Sequence, residues 1–415
     1  MLRPILSHAG MEGTVSKSYD AIVVGARCAG SPTAMLLARR GYRVLLVDRS
    51  SFPSDTVSTL VIHATGLAAL ERWGLLDAVR ATGCPPISTY SFDFGPFVIS
   101  GTPTAVDAIT GAYAPRRTVL DKILVDAAAD AGCEVRERFT VEEMLVEDGR
   151  VVGIRGRDEH GTPVVERAGV VVGADGHNSR VAKAVGAEVY RELPVLEYAF
   201  FTFWSGLPIE GFPVWLRGDR GIAAIPTHDD LALMLVGCPA GQAPAFKADV
   251  EGNYLAAIER VPELADRVRA ATREDRFRVG GAPNFFRTPF GPGWALVGDA
   301  GYTRDPVTAQ GISDAFIGAE QCTRALTEAF EGIRPFGQAM AGYQRERDAR
   351  VTAIYEFTTQ LATLEPPPPE MQQLLGAVAH SQRAMDAFVS VVAGSLPPSA
   401  FFAPEHIRSI MAAAA

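Results

Sequence analysis

A strand–turn–helix–strand unit near the N-terminus constrains the fold of this chain more than any other feature. An apolar, β-branched run over Tyr19–Val24 is followed by a tight glycine turn, Gly25–Gly30, and by an apolar helix that ends at Gly41. A second apolar run, Val44–Val47, leads into Asp48, which lies 23 residues after the first glycine of the turn. Dinucleotide-binding units have a similar spacing, and they direct helix N–H groups at a pyrophosphate and a carboxylate at a ribose.

The turn departs from the common Gly-x-Gly-x-x-Gly pattern at one position. Arg27 stands where the second glycine permits close approach of the backbone to phosphate, so its guanidinium reaches either the dinucleotide or a neighbouring loop. A glycine-rich turn alone also fits an ordinary strand–helix connection, and the later motifs favour a cofactor. The residues of this unit predicted to contact the cofactor are Gly25, Arg27, Cys28, Ala29, Gly30, Asp48 and Arg49.

Two further glycine-containing stretches follow apolar strands later in the chain. One covers Gly173–Arg180 and begins Gly-Ala-Asp-Gly. The other covers Trp294–Gly301 and is followed by Asp305, Pro306 and Gly311. Taken in order, the three stretches resemble the FAD-dependent monooxygenases of the para-hydroxybenzoate hydroxylase type. They also resemble the relatives of those enzymes, the flavin halogenases and the geranylgeranyl-reductase-like dehydrogenases.

The resemblance assigns contacts with a non-covalent FAD to several positions. It implies that Asp299 binds the ribityl chain, and that the helix beginning at Gly311 directs its positive N-terminus at the N1–C2 carbonyl edge of the flavin. It implies that Asp175 lies at the pyrophosphate and contributes to nicotinamide binding, although an Asp-Gly pair after a strand also fits a simple turn. It also implies that Arg117 contacts the FAD pyrophosphate from the start of a helix. A solvated arginine at a helix start fits the sequence equally well. The implied positions are Arg117, Asp175, Gly176, Gly298, Asp299, Pro306, Gly311 and Ile312.

Three positions depart from the family pattern and bear on the subclass. Tyr302 stands where the hydroxylases usually carry histidine, Asp305 makes its turn more similar to that of the halogenases, and Ala182 replaces a frequent arginine. Halogenases place a lysine between flavin and substrate, whereas no lysine occurs from Ser18 to Asp121. Residues 190–240 also lack the halogenase Trp-x-Trp-x-Ile-Pro signature. Halogenation is therefore disfavoured, and a reductase similar to geranylgeranyl reductase is the alternative.

The predicted architecture is an α/β fold. It has a Rossmann-like FAD-binding domain of the glutathione-reductase type, an inserted β-sheet substrate domain and a helical C-terminal segment. We expect a β-hairpin over 142–155, a helix outside the inserted sheet near 250–261, and C-terminal helical segments near 370–392 and 403–411. The predicted boundaries are 17–85, 105–189 and 285–345 for the FAD-binding domain, 86–104 and 190–284 for the substrate domain, and 346–415 for the C-terminal segment.

Aromatic side chains in the insertion are candidates for an apolar chamber over the flavin. They are Phe201, Phe203, Trp204 and Trp215, and the predicted substrate contacts are Phe201, Phe203 and Trp215. Because strand side chains alternate between the two faces, about half of the four are expected to be ordinary core. His63 and His228 are acid–base candidates, although a hydrogen-bonded structural role is favoured for both.

The resemblance implies a monooxygenase reaction. NADH, NADPH or a separate flavin reductase would deliver electrons to FAD, and dioxygen would form a flavin C4a-hydroperoxide that oxygenates the substrate. Because the flavin supplies this chemistry, the sequence identifies no catalytic side chain. An apolar chamber fits an aromatic or polyketide-like small molecule of secondary metabolism. A non-catalytic flavoprotein is a third, less favoured interpretation.

Composition disfavours several other classes of protein. A net charge of −9 offers no basic patch for nucleic acid. Five dispersed cysteines without Cys-x-x-Cys spacing predict no structural metal and a reducing, cytoplasmic location. No apolar run reaches the roughly 20 residues of a membrane-spanning helix, and residues 1–18 lack the apolar core of a signal peptide. A monomer or homodimer is expected.

Overall fold

The structure is a computed structural model that describes residues 18–414. Residues 1–17 lie outside the described residues. The prediction that residues 1–18 contain no signal peptide falls almost entirely on this segment, and so does residue 17, the predicted start of the FAD-binding domain. Ala415, the last residue of the predicted C-terminal segment, also lies outside them. The strands, numbered in chain order, are β1 Ser18–Val24, β2 Val44–Val47, β3 Ile62–His63, β4 Pro86–Ile87, β5 Tyr90–Asp93, β6 Val98–Gly101, β7 Ala112–Tyr113, β8 Glu134–Arg136, β9 Thr140–Glu147, β10 Arg150–Arg157, β11 Pro163–Gly173, β12 Val189–Leu193, β13 Glu197–Ser205, β14 Phe212–Arg217, β15 Arg220–Pro226, β16 Ala232–Pro239, β17 Thr272–Arg273, β18 Arg278–Gly280, β19 Asn284–Arg287, β20 Phe290–Gly291, β21 Trp294–Leu296 and β22 Tyr302–Thr303. The α-helices are α1 Gly30–Ala38, α2 Ala64–Trp73, α3 Leu76–Arg80, α4 Arg117–Asp130, α5 Arg180–Ala184, α6 Ala243–Ala248, α7 Val250–Ile258, α8 Pro262–Ala270, α9 Gly311–Phe330, α10 Phe336–Leu361, α11 Pro369–Val378, α12 Gln382–Val392, α13 Pro398–Phe401 and α14 Pro404–Ala414.

A mostly parallel sheet forms the centre of the part of the fold that contains the three glycine motifs. Its strands run in the order β20-β21-β11-β1-β2-β8, with only β20 antiparallel along this path. The predicted hairpin is β9–β10, joined to β11, and its turn residues Asp148 and Gly149 have φ of 49° and 74°. Helices α1, α4 and α9 cover one face of the sheet, and the hairpin and α5 cover the other. The predicted α/β architecture is confirmed.

A second sheet, here called the roof sheet, collects strands from two separate parts of the chain. Its order is β17-β13-β16-β15-β14-β5-β6, with β18 also paired to β13. Strands β14 and β5 pair in parallel and the other neighbours are antiparallel, so the sheet is mixed. The outer face of this sheet carries Phe200 and Trp204 and packs against α6–α8, which include the helix expected near 250–261. The inner face carries Phe201 and Phe203.

The C-terminal helices cover the inner face of the roof sheet. Leu374 and Val378 of α11, Phe388 of α12 and Phe401 of α13 belong to the same buried cluster as Phe203. The rings of Phe388 and Phe401 are also in contact, with centroids 5.9 Å apart. The C-terminal helices therefore supply one wall of the apolar interior.

The helical segment expected near 370–392 is divided into α11 and α12. Ser381 explains the break, because its hydroxyl accepts a hydrogen bond from the third residue after it and caps the start of α12. Asp386 then fixes α12 to the edge of the roof sheet by accepting a hydrogen bond from the N–H of Thr102 at 2.9 Å. Within residues 18–414, no helix combines the length and the hydrophobicity that crossing a bilayer requires.

Candidate functional site

The first glycine turn packs directly against the second glycine motif. Gly25 has φ of +102°, which favours glycine, and a Cβ atom there would lie 2.4 Å from the main-chain oxygen of Ala174. A Cβ atom on Gly30 would lie 1.7 Å from the main-chain oxygen of Gly25. Neither position has room for a side chain. A close-packed turn at the start of α1 is the arrangement that receives a pyrophosphate in dinucleotide-binding units.

Asp48 holds this turn from the end of β2. Its Oδ2 accepts a hydrogen bond from the N–H of Ala26 at 2.7 Å, and its Oδ1 accepts one from the N–H of Ser50 at 2.8 Å. The side chain is half-buried, and each carboxylate oxygen keeps a further acceptor position. Asp48 is thus fixed beside the turn with capacity left for a ribose hydroxyl, and Arg49 is exposed next to it.

Arg27 turns away from the glycine turn. Its guanidinium donates to the carboxylate of Asp121 on α4 and, at 3.0 Å, to the hydroxyl of Ser54. It also lies 5.3 Å from the centre of the Phe52 ring. Of the two partners considered for Arg27, the dinucleotide and a loop, the structure provides the loop. The guanidinium of Arg27 is therefore occupied by this loop and by α4.

A buried carboxylate joins Arg27 to Arg117, the first residue of α4. Arg117 donates from Nε and Nη2 to Oδ1 of Asp121 at 3.0 and 2.9 Å, and neither side chain is open to solvent. The alternative of a solvated arginine at this position is therefore wrong. The Cys28 thiol lies 3.5 Å from the same oxygen, and burial raises its pKa to about 12. The sequence does not single out Asp121, because many surface ion pairs share its spacing of one helical turn from an arginine.

Asp299 is the carboxylate that stays free to bind a ligand. It is exposed, and it accepts no hydrogen bond from residues 18–414. Gly298 beside it has φ of +60°, and a Cβ atom there would approach the Cβ of Ala29 to 2.6 Å, so the third motif meets the first. Arg117 lies close enough to Asp299 for the two charges to interact.

Asp175, by contrast, is occupied by the chain itself. Its Oδ1 accepts a hydrogen bond from the Ser179 hydroxyl at 2.5 Å, and its Oδ2 accepts one from the N–H of Arg180 at 2.7 Å. The carboxylate therefore holds the start of α5, as a structural Asp-Gly turn would. Gly176 has φ of +79° with open space beside its Cα. The contact of this motif with a pyrophosphate remains a prediction.

The start of α9 faces open space. Pro306–Thr308 form a single 3-10 turn, and Ala309 follows with a left-handed φ of 53°. A Cβ atom on Gly311 would have no protein atom within 4 Å, whereas Ile312 is buried in the core. The helix N-terminus, with its partial positive charge, is thus open to a ligand.

Gln310 connects the start of α9 to the C-terminal helices. Its Nε2 donates to the main-chain oxygen of Val392 at 2.6 Å, and its Oε1 accepts a hydrogen bond from Arg304 at 2.8 Å. Arg304 in turn forms a largely buried ion pair with Asp314 on α9, at 2.9 Å. Tyr302, at the position of the hydroxylases' histidine, is buried and accepts a hydrogen bond from Arg304. The sequence motifs point to none of these contacts.

Only half of the four aromatic candidates lie on the inner face of the roof sheet. Phe201 and Phe203 belong to the inner cluster, together with Ala309 of the loop before α9. Trp204 and Trp215 pack on the outer face. The prediction of Trp215 as a substrate contact is therefore wrong, because the alternation along β14 turns its side chain toward α6–α8.

His63 and His228 are both hydrogen-bonded structural residues, as favoured from the sequence. The fully buried His63 donates from Nε2 to the main-chain oxygen of Thr308 at 3.1 Å, and its Nδ1 accepts a hydrogen bond from the Tyr90 hydroxyl at 2.8 Å. Burial lowers the pKa of His63 to about 4, so the ring is neutral at pH 7. His228 accepts a hydrogen bond at Nδ1 from the N–H of Arg116 at 3.2 Å.

The residues brought together at this place fit an FAD molecule. The first glycine turn touches both later motifs, so the three motifs that are far apart in sequence form one surface. This surface offers a close-packed glycine turn at the start of α1, a fixed acceptor in Asp48, a free carboxylate in Asp299 and an open helix start at Gly311. These match the needs of a pyrophosphate, a ribose, a ribityl chain and a flavin ring.

Comparison with known proteins agrees with this fit. Residues 18–358 match the FAD binding domain family. The chain is 26% identical over 369 residues to digeranylgeranylglycerophospholipid reductase 1 of Methanopyrus kandleri. This match covers 84% of this chain and 91% of that protein. It is 27% identical over 375 residues to 6-methylpretetramide 4-monooxygenase of Streptomyces rimosus. This match covers 82% of this chain and 84% of that protein. The myxobacterial chondrochloren halogenase CndH has a similar fold, with a TM-score of 0.76, 24% identity and 96% of both chains covered.

Proposed function

This chain belongs to the FAD binding domain family, and we propose that it is an FAD-dependent monooxygenase of an apolar, aromatic or polyketide-like small molecule. The family match over residues 18–358 includes all three glycine motifs. Bound FAD would supply the redox chemistry, carrying two electrons from a reduced nicotinamide to dioxygen. The overall reaction would insert one oxygen atom into the substrate and release the other as water, while NADH or NADPH is oxidised.

The observation that best supports the proposal is the contact between the apolar inner face of the roof sheet and the loop before α9. Ala309 packs in the same buried cluster as Phe201 and Phe203, and it stands two residues before Gly311. A substrate on the inner face would therefore lie beside the open start of α9, among side chains that exclude water. Excluding water protects oxygen transfer from competing hydrolytic reactions.

Each part of the cofactor has a candidate partner among the described residues. We assign the pyrophosphate to the turn at Gly25 and Gly30, the ribose to Asp48, the ribityl chain to Asp299 and the flavin ring to the start of α9 at Gly311. These assignments follow from the close approaches at the glycines and from the carboxylate oxygens that retain acceptor capacity.

A reductase is the second candidate function. One relative with long coverage is a digeranylgeranylglycerophospholipid reductase, and an apolar inner face would also accommodate a prenyl chain. A halogenase is less favoured, because no lysine occurs from Ser18 to Asp121.

As electron donor we propose NADH, NADPH or a separate flavin reductase. We also propose a cytoplasmic monomer or homodimer, in keeping with five cysteines that are all free and buried.

The source of the inserted oxygen separates the two candidates. Purified holoenzyme is supplied with a reduced nicotinamide, a panel of phenolic and polyketide-like compounds, and dioxygen labelled with oxygen-18. A monooxygenase places one labelled atom in the product, which mass spectrometry detects. Unlabelled product that forms equally well under argon would replace the monooxygenase by a reductase.

Matched substitutions on β13 test the position of the chamber. Phe203→Leu changes the inner face and Phe200→Leu changes the outer face of the same strand. We expect Phe203→Leu to raise KM roughly tenfold, since losing part of an aromatic contact costs about 1 kcal/mol or slightly more. Phe200→Leu should change stability but not KM. Equal changes of KM in the two variants would contradict a chamber on the inner face.

A further inference from the structure

Arg116, the residue before α4, carries a positive charge to the inner face of the roof sheet. Its guanidinium carbon lies 4.5 Å from the centre of the Phe203 ring, a distance at which the cation and the ring attract each other. The main chain is fixed as well, because the N–H of Arg116 donates to Nδ1 of His228 at 3.2 Å. The charge is therefore held against one of the aromatic side chains that we propose to contact the substrate.

The guanidinium of Arg116 has no carboxylate to itself. Its Nε is buried and has no hydrogen-bond partner within residues 18–414. Its Nη2 lies 3.9 Å from Oδ2 of Asp55, which is beyond hydrogen-bond distance. Because buried polar groups are normally hydrogen-bonded, a guanidinium with unused donors at the edge of an apolar face has capacity for a ligand.

Arg278 occupies the carboxylates near Arg116. The register of β18 and β13 sets Arg278 opposite Phe201, and directly paired residues share one face of a sheet, so Arg278 also lies on the inner side. Its Nη1 donates to Oδ2 of Asp55 at 2.8 Å, and its Nη2 donates to Oδ2 of Asp275 at 2.6 Å. Of the two arginines, Arg116 is therefore the one that remains available to an anion.

The surroundings of Arg116 are open to solutes on one side. The Arg116 side chain is 25% exposed. A surface cavity of about 540 Å³ lies next to it, lined by Thr118, two residues along the chain, and by Pro53 of the loop that carries Asp55. Thr82 in the same lining is hydrogen-bonded to His228 at 2.8 Å. Arg116 therefore lies near the protein surface, where a solute can approach it, and not in the sealed core.

We propose that Arg116 binds a carboxylate group of the substrate, so that the enzyme selects anionic aromatic molecules. The proposal rests on the proposed function, because it places the substrate on the inner face beside Phe203. The flat part of the substrate packs near this ring, and the guanidinium donates hydrogen bonds to the carboxylate oxygens. The planar fork of an arginine matches the two oxygens of a carboxylate, and such charge-assisted bonds are short and strong. No covalent bond changes in this step.

Calorimetric titration of the full-length holoenzyme with 2-naphthoate and with 2-naphthamide tests the preference without turnover. The two probes share one flat ring system and differ in charge. The wild-type protein should bind the carboxylate about 10- to 100-fold more tightly, as expected for hydrogen bonds to a charged group. Arg116→Met should bind both probes alike, and Arg116→Lys should keep only part of the preference, since an ammonium lacks the fork. Equal binding of the two probes by the wild-type protein, or no binding of either, would overturn the proposal.

Arg273→Met is the matched control. Arg273 lies 4.6 Å from the centre of the Phe277 ring and pairs with Glu251 at 3.0 Å. It stands opposite Trp204 in the register of β17 and β13, so it belongs to the outer side of the roof sheet. Its removal should leave the preference for 2-naphthoate at the wild-type value. An equal loss in Arg116→Met and Arg273→Met would contradict a site on the inner face.

Two further measurements separate a substrate carboxylate from the phosphates of the dinucleotides. Arg116→Met should leave the affinity for FAD unchanged, and also the nicotinamide concentration that gives half-maximal flavin reduction. A variant that loses affinity for FAD or nicotinamide but keeps the preference for 2-naphthoate would overturn the proposal and assign Arg116 to a phosphate. A preference that depends on Arg116, together with a product free of oxygen-18, would instead refute the monooxygenase and leave the carboxylate site in place.

Discussion

The side chain of Gln310 donates a hydrogen bond from Nε2 to the main-chain oxygen of Val392 at 2.6 Å, so the residue before α9 is bonded to the end of α12. Its Oε1 accepts a hydrogen bond from Arg304 at 2.8 Å, and a Cβ atom on Gly394 would lie 2.8 Å from the same oxygen. Both the nitrogen and the oxygen of the Gln310 amide are therefore hydrogen-bonded. The C-terminal helices and the start of α9 are therefore one packed unit.

Gln310→Leu should lower the free energy of unfolding by about 1–3 kcal/mol, because the oxygen of Val392 and the guanidinium of Arg304 each lose a buried partner. FAD affinity should fall as well, since the start of α9 loses an anchor. Urea unfolding measures the first effect, and a fluorescence titration with FAD measures the second. The control is Gln338→Leu at an exposed site on α10, which should stay within about 0.5 kcal/mol of wild type. Similar losses in both variants would contradict the role of Gln310.

Asp299→Ala should weaken FAD binding about tenfold to a hundredfold, equivalent to about 1.5–3 kcal/mol, because it removes a free charged acceptor. The stability of the apoprotein should change little, since Asp299 accepts no hydrogen bond from residues 18–414. Arg27→Gly should weaken FAD binding less, because Arg27 holds a loop and α4. A titration in which Arg27→Gly loses FAD and Asp299→Ala binds it normally would reverse both assignments.

Asp121→Asn should lower the free energy of unfolding by about 3–5 kcal/mol. The change removes the counter-charge of Arg117, which is itself buried, and an uncompensated buried charge is strongly destabilising. Asp126→Asn on the same helix is the matched control, since its pair with Lys122 is exposed and contributes about 0–1 kcal/mol. Denaturant unfolding of the apoprotein compares the two. A loss below about 1 kcal/mol in Asp121→Asn would show that Arg117 does not depend on this carboxylate.

His63 should make the fold less stable as the pH falls from about 6.5 to about 4. Burial lowers the pKa of His63 from its ordinary value of 6.5 to about 4, so the unfolded chain takes up the proton first. The stability that the neutral ring contributes is complete above pH 6.5 and is lost progressively toward pH 4, by about 3 kcal/mol in all. Urea unfolding at several pH values measures the slope. In His63→Asn this part of the slope should disappear, and an identical slope in the variant would rule out His63 as its cause.

The parts of the fold that follow from neighbouring residues could be predicted from the sequence. The unit from Tyr19 to Asp48 and the hairpin near 142–155 depend on local spacing, and both form as expected. The helix at Gly311 likewise begins where its glycine and proline signals place it. In each case the pattern of apolar and turn residues fixes the element without knowledge of its tertiary partners.

The parts that depend on distant pairs could not be predicted. Nothing near Arg27 in the sequence indicates that Asp121 is its partner, and Gln310 meets Val392 only because the C-terminal helices pack against the start of α9. Trp215 illustrates a different limit. Alternation shows that a strand has two faces, but only the packed structure shows which face the C-terminal helices cover.

The bond from Gln310 to α12 ends on a main-chain oxygen, and every amino acid carries that atom. The helices α11–α14 also lie beyond residues 18–358, the part that matches the family. Mutations that change the side chains of these helices therefore leave this one hydrogen bond in place. In evolutionary terms, the wall that we propose to face the substrate can change its side chains between descendants of one ancestor, while this main-chain anchor persists wherever Gln310 is kept.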